Sequence, residues 1–337
     1  MRKRTELLGL LVLAASCAQA PKTAECPAVP EAAGLSALYA AVLDGSLVVA
    51  GGSNFAGKPL AEGGKKQFHD NIYRLEPGGW KEIGRLPEPS AYGACFTLEG
   101  KLVIAGGANE RGTLRSVRAV APDGRVSILP DLPVPVEQGA ACVQGGTVYL
   151  LGGLSDGAPV TDVLRCADGV WEIHGALPEP MVQPVAFAAG GRLYVWGGYH
   201  PTRRESLDYG YEYSEGTWTR IPGPEAGETL TGAASTVADG RLIVTGGVDK
   251  AVFDQALSLS GDAVQEYLTR PAASYRIRSR IRAFDPASQT WRTLGESPHT
   301  ARAGAALASA REDILYHIGG EIKPGVRTPA VWKIQLK

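Results

Sequence analysis

The 337-residue sequence predicts an all-β chain, a six-bladed β-propeller with a short helical insertion in the fifth blade. Three observations carry that prediction. Glycine and proline are abundant, at 43 and 23 residues, and long helical patterns are few, which favours many short strands joined by turns. An apolar run ending in Gly-Gly recurs six times, with second glycines at 52, 107, 153, 198, 247 and 320 and spacings of 55, 46, 45, 49 and 73. Finally, a tryptophan follows most doublets at a similar remove, at Trp80, Trp171, Trp218 and Trp291.

Each repeat reads as one four-stranded unit. A small-residue strand opens it, as in Ala91-Tyr92-Gly93-Ala94-Cys95-Phe96 or Gly304-Ala305-Ala306-Leu307, and small side chains suit strands that converge on an axis. The doublet strand follows, then a loop and a third strand such as Asn71-Ile72-Tyr73-Arg74-Leu75. The tryptophan marks the outer strand and suits a slot between neighbouring blades, where its large area is buried. A Leu-x-x-Pro turn closes the unit, as at Leu86-Pro87-Glu88-Pro89 and Leu177-Pro178-Glu179-Pro180. The second unit has Arg125-Val126-Ser127-Ile128 in place of the tryptophan. The 73-residue spacing marks the insertion, where residues 251–257 and 263–268 have helical periodicity, broken at Ser260-Gly261 and stopped before Pro271. Loops of this length often wall a site.

The two ends bear on closure. The last repeat stops after residues 331–336, one strand short, so residues near 20–28 are expected to supply the outer strand of the sixth blade. A disordered tether is the alternative. Residues 1–20 read as a secretory signal, with Arg2-Lys3-Arg4 before an apolar run from Leu7 to Ala15 too short to span a membrane. Leu13-Ala14-Ala15-Ser16-Cys17 is lipobox-like, which would make Cys17 a lipidated N-terminus and attach the protein to a membrane. Ala18-Gln19-Ala20 offers an ordinary cleavage site instead, with Pro21 awkwardly after the cut. Residues 21–337 form one propeller domain on this reading. The expected location is outside the cytoplasm, periplasmic, with anchoring to the outer membrane if Cys17 is acylated.

Composition excludes several classes. A net charge of −1 from 34 basic and 35 acidic residues, without long runs, is no nucleic-acid footprint and no polybasic membrane patch. Cys26, Cys95, Cys142 and Cys166 show no metal spacing and no compact disulfide framework, and Cys95 and Cys142, at matching points of Ala/Gly-rich strands, read as buried small hydrophobes. The five histidines are scattered, which argues against a metal site, and no cofactor fingerprint is present.

Strand parity gathers the loops after each doublet with those entering each small-residue strand. That face collects Asn54, Lys65, Lys66, Tyr92, Glu137, Gln138, Gln183, His200, Arg302, Glu321, Lys323 and Arg327, a polar funnel with several cations suited to a small anionic ligand. The richest stretch is Gly319 to Pro329, which turns Glu321, Lys323 and Arg327 out of the sheet. A carboxylate can move a proton, and a guanidinium fork can hold a carboxylate bidentately. An ordinary solvated turn with a surface ion pair is the competing account. Asn54 likewise fits a turn as well as a ligand contact.

The repeat as a whole resembles the kelch repeat. Several stretches also resemble the cyclically permuted branch of the kelch-type mutarotases, relatives of bacterial N-acetylneuraminate epimerase. These are Gly51-Gly52-Ser53-Asn54-Phe55, Glu62-Gly63-Gly64-Lys65-Lys66 with Asp70-Asn71-Ile72-Tyr73, Gly246 to Phe253, Ala301-Arg302-Ala303-Gly304-Ala305, and Gly320 to Thr328. The resemblance implies an isomerase that opens and recloses the ring of a sialic acid-class sugar. It makes Glu321 and Arg327 the catalytic pair, while the shared polar face itself sets Arg302, Lys66, Asn54, Gln183, Tyr92 and Lys323 around the substrate. Asp249, where the family has Asn, and Tyr275-Arg276-Ile277-Arg278, where it has an aromatic-rich stretch, depart from the pattern and bear on substrate choice. A non-catalytic kelch module, lipid-anchored and binding a glycan or protein on the same face, is the alternative. Glu321 discriminates, since an anion binder has no use for a carboxylate beside its arginine.

Overall fold

The computed structural model describes residues 20–336. The signal segment and Cys17 lie outside the described residues. The rest forms six antiparallel sheets, each of four main strands, in chain order around an axis. In the first blade the strands are Tyr39–Leu43, Ser46–Ala50, Asn71–Glu76 and Gly79–Arg85, from axis to rim. The sixth blade takes Ala306–Arg311, Ile314–Ile318 and Val331–Gln335 from the C-terminus and its rim strand, Lys22–Cys26, from the N-terminus. Lys22 pairs with Gln335 and Cys26 with Val331. The expected closure is therefore present, and the edge that Val331–Gln335 would otherwise expose is covered.

The core lies between blades, and clusters join each sheet to its neighbour. Trp80 packs against residues of blades six and one, Trp171 against blades two and three, and Trp291 against blades four and five. The tryptophans stand opposite Leu75, Cys166, Tyr213 and Phe284 of the third strands. In blade two the same register position, opposite Val120, is held by Val126, which packs into the cluster between blades one and two. A smaller apolar residue thus fills the slot that lacks its tryptophan.

A second regularity emerges from the register. The X-Pro-Z turn entering each blade sets its third residue against one position of that blade's third strand. Glu31 accepts from Tyr73, Glu179 from Tyr211, and Glu225 from Arg282. Glu88 faces Arg118 at 3.7 Å and accepts from Ser116. Val134 and Leu164 share an apolar cluster, and His299 stacks on Trp332 with ring centroids 3.5 Å apart. At every junction the two partners match in chemical kind.

After the doublets come short hairpins that rise on one face, such as Ser53–Asn54 with Gln67–Phe68 and Glu321–Lys323 with Val326–Arg327. In blade five two helices stand there instead, α1 (Lys250–Ala256) and α2 (Asp262–Thr269). Asp249 caps α1, its Oδ1 accepting from the Val252 N–H at 3.1 Å, and it is clamped by Arg276 at 2.7 Å and Arg278 at 3.1 Å. The four cysteines named above are free thiols.

Candidate functional site

The face that gathers the hairpins opens onto a ring of backbone. Ala37, Tyr92, Gln138, Gln183, Gly232 and Gly304 occupy the same place at the entrance of the six inner strands, and all six have positive φ, between 53° and 66°. Five hydrogen bonds tie them around the axis: Ala37 N–H to Gly304, Gly304 to Gly232, Tyr92 to Ala37, Gln138 to Tyr92 and Gln183 to Gln138. Left-handed backbone costs a non-glycine residue about 1–2 kcal/mol, so the ring must over-determine Tyr92 and the two glutamines. Their side chains crowd one half of the mouth, where Gln183 Nε2 donates to Gln138 Oε1 at 2.7 Å. The other half carries only Ala37 and two glycines. A cavity of about 360 Å³ opens at the mouth, lined by all six ring residues, by alanines of the inner strands, and by Phe253 of α1 and Glu321.

Glu321 faces the mouth because of its place in the repeat. The residue directly after four of the six doublets bridges back to the strand entering the ring: Ser53 to Ser36, Ala108 to Ala91, Leu154 to Glu137 and Glu321 to Ala303. Among these, blade six alone carries a carboxylate. Gly320 makes the turn at φ 91°, and a Cβ there would lie 2.8 Å from Ala305 Cβ. Any side chain at that position would push the hairpin away from the axis.

The carboxylate of Glu321 meets Arg327 across the hairpin, Oε1 to Nη2 at 2.9 Å. Arg327 is 2% exposed in its side chain, while Glu321 keeps 25%. The guanidinium also donates through Nε to Ser36 Oγ at 3.1 Å and lies over the Phe55 ring at 4.4 Å. Only Nη1 is without a partner. The open fork expected from the sequence is thus largely committed to protein groups. Burial raises the Glu321 carboxyl above the ordinary carboxylate value, and Arg327, Lys66 and the Gly325 N–H oppose that rise without cancelling it.

The remaining candidates distribute around this pair. Tyr92 and Gln183 line the cavity. Lys66 lies over the Tyr92 ring, its Nζ 4.5 Å from the centroid, close enough to Glu321 to lower its carboxyl. Lys323 donates to the Arg270 carbonyl at 3.3 Å and lines a second cavity of about 220 Å³ between the insertion and Glu321. Asn54 is 1% exposed within the first hairpin, and neither of its amide atoms has a hydrogen-bond partner among the described residues. Arg302 is 8% exposed, donates to the Gly319 carbonyl at 3.3 Å and lines neither cavity. It sits beside the fully buried His317, whose pKa burial and then Arg302 push down to about 3. Phe253 and Tyr267 join the site from the insertion. The sequence placed them on helices, but which helical face would meet Glu321 depends on the fold of the loop.

The geometry defines a kelch-type propeller whose axial cavity is lined, among the described residues, by one carboxylate, with cations beside it. The family model described as N-acetylneuraminate epimerase matches residues 14–128 and 129–337, so the chain belongs to that family. It is similar to N-acetylneuraminate epimerase of Shigella boydii, 28% identical over 68% of this chain and 66% of the relative. Similarity to N-acetylneuraminate epimerase 1 of Escherichia coli is also 28%, over 75% of this chain and 60% of the relative. The matched part thus spans just under two thirds of these relatives. A solved structure titled "Structure of YjhT" superposes with a TM-score of 0.67 at 15% identity, covering 92% of this chain and 99% of the other, and agrees in fold.

Proposed function

We propose that the protein is a mutarotase that interconverts the anomers of N-acetylneuraminate or a related acidic sugar. The observation that carries this reading is Glu321, a lone carboxylate with a raised pKa at the rim of a sugar-sized cavity, held by a buried arginine. Family membership supports the substrate class.

Ring opening needs a base at the anomeric hydroxyl and a proton at the ring oxygen. Glu321 takes the anomeric proton, and a carboxyl raised above its ordinary value is, in its ionised form, the stronger base. The open-chain keto form turns about the bond next to the carbonyl, and reclosure on the other face returns the proton. Arg327 keeps the carboxylate aimed rather than acting as an acid, since a guanidinium does not deprotonate. The sugar's own carboxylate is attracted by Lys66 and, at longer range, by the buried charge of Arg327, and Tyr92 and Gln183 bound the sugar opposite. General acid–base assistance of this kind contributes about 10²–10⁴-fold.

The test follows N-acetylneuraminate by NMR immediately after its release as a single anomer. The protein should shorten the approach to anomeric equilibrium well beyond the buffer rate. Binding without acceleration would instead identify a glycan-binding module.

A further inference from the structure

Ring opening moves two protons, and Glu321 handles only one of them. The second cavity, of about 220 Å³, has Glu321 on one wall and Tyr267 on another, with Phe253, Ile277 and Tyr275 making the rest largely apolar. Tyr267 is the buried residue of α2. Its ring stands perpendicular to that of Tyr275, centroids 5.1 Å apart at 88°, and the Tyr275 hydroxyl donates to the main-chain carbonyl of Tyr267. The Tyr267 ring is thus packed edge-on against Tyr275, and its own hydroxyl meets no hydrogen-bond partner among the described residues.

We propose that the sugar extends past Glu321 from the axial cavity into this second one, the two sharing Val248, Phe253, Ala303 and Glu321, and that Tyr267 is a second catalytic residue there, whose phenol delivers the proton to the sugar ring oxygen while Glu321 removes the anomeric one. This rests on the mutarotase reading above. In the forward step the anomeric O–H proton passes to Glu321, and the carbonyl forms at the anomeric carbon. The bond from that carbon to the ring oxygen breaks, and the ring oxygen takes the Tyr267 proton to become a hydroxyl. Reclosure reverses each transfer, so no other reagent is consumed.

Two features suit the phenol to this task. The group it protonates is an incipient alkoxide, so a weak acid that stays protonated at neutral pH is adequate and is not spent by ionising first. Burial pushes the Tyr267 phenol up to about 12, and the negative charge of Glu321 acts in the same direction. The transient phenolate is offset by Arg270, whose Cζ lies 5.5 Å from the ring centroid. Lys323, bound to the Arg270 carbonyl at 3.3 Å, brings a further cation to the cavity wall.

The experiment compares wild type, Tyr267→Phe and a protein carrying a fluorinated tyrosine at 267, whose phenol is more acidic and nearly isosteric. Tyr267→Phe should lower kcat for anomer interconversion about 10²-fold with KM little changed. Fluorination should move the alkaline limb of the kcat profile to lower pH, which a residue that only shapes the pocket would not do. An unchanged rate in Tyr267→Phe overturns the proposal. So does an unmoved limb in the fluorinated protein, which also decides the case if Tyr267→Phe fails to fold. A wild-type protein without mutarotase activity would instead remove the reading on which this rests.

Discussion

At the scale of single residues, Glu321 is balanced between burial, which raises its carboxyl, and Arg327, Lys66 and the Gly325 N–H, which lower it. A base works only when ionised, so the rate should fall as pH falls through a pKa above the ordinary carboxylate value of 4.5. Lys66→Met removes one of the groups holding that carboxyl down, so the acid limb of kcat should move to higher pH. KM for an anionic sugar should rise with it. A kcat profile superimposable on wild type would separate Lys66 from the base. Glu321 was legible from the sequence because it follows a doublet and shares a loop with Arg327. The commitment of Arg327 to Ser36 and Phe55 was not, since both partners lie about 270 or more positions away in the chain and meet it only when the ring closes. Tyr267 was hidden for a related reason, because helical periodicity states that a face exists and not what it will meet.

At the scale of elements, the six X-Pro-Z turns act as junctions whose chemistry is matched from blade to blade. The junctions should differ in cost when broken. Arg118 is 1% exposed in its side chain, and Glu88 is its nearest counter-charge at 3.7 Å. Glu88→Ala leaves that guanidinium buried and uncompensated, a loss of roughly 3–5 kcal/mol. Glu225 is 52% exposed, and Arg282 keeps Glu228 in its absence, so Glu225→Ala should cost about 1 kcal/mol or less. Urea unfolding of the two variants checks the order, and equal losses would show that Glu88 is not the partner that matters. The Leu-Pro-Glu-Pro turns were readable as punctuation. Their partners were not, because the third-strand position they face is set by register across a sheet rather than by sequence spacing. The insertion shows the converse. Its two helices fall within about two residues of the periodic runs 251–257 and 263–268, since local periodicity alone decides them.

At the scale of the whole molecule, the ring is closed by Lys22–Cys26, and the chain just beyond it is fastened too, with Trp80 Nε1 donating to the Pro27 carbonyl at 2.7 Å. Removing residues 21–27 should uncover the edge of Val331–Gln335, open the junction between blades six and one, and lower Tm by roughly 5 °C or more. A Tm equal to that of the full chain would show that the strap adds nothing. Six doublets and a last repeat one strand short were enough to read the blade count and the closure. The size of the mouth was not readable, because it depends on the ring at Ala37, Tyr92, Gln138, Gln183, Gly232 and Gly304, which becomes visible only when six loops are superposed.

That mouth exists, on this account, to place one carboxylate against the anomeric centre of an acidic sugar. The most direct measurement is the anomer-interconversion rate of N-acetylneuraminate in wild-type protein and Glu321→Gln, with the folded state of both verified by circular dichroism. Gln keeps an acceptor for Arg327 but cannot take a proton. Wild type should accelerate the reaction, and the variant should lose about 10²-fold or more in kcat while still binding the sugar. A Glu321→Gln protein that interconverts anomers at the wild-type rate would contradict it.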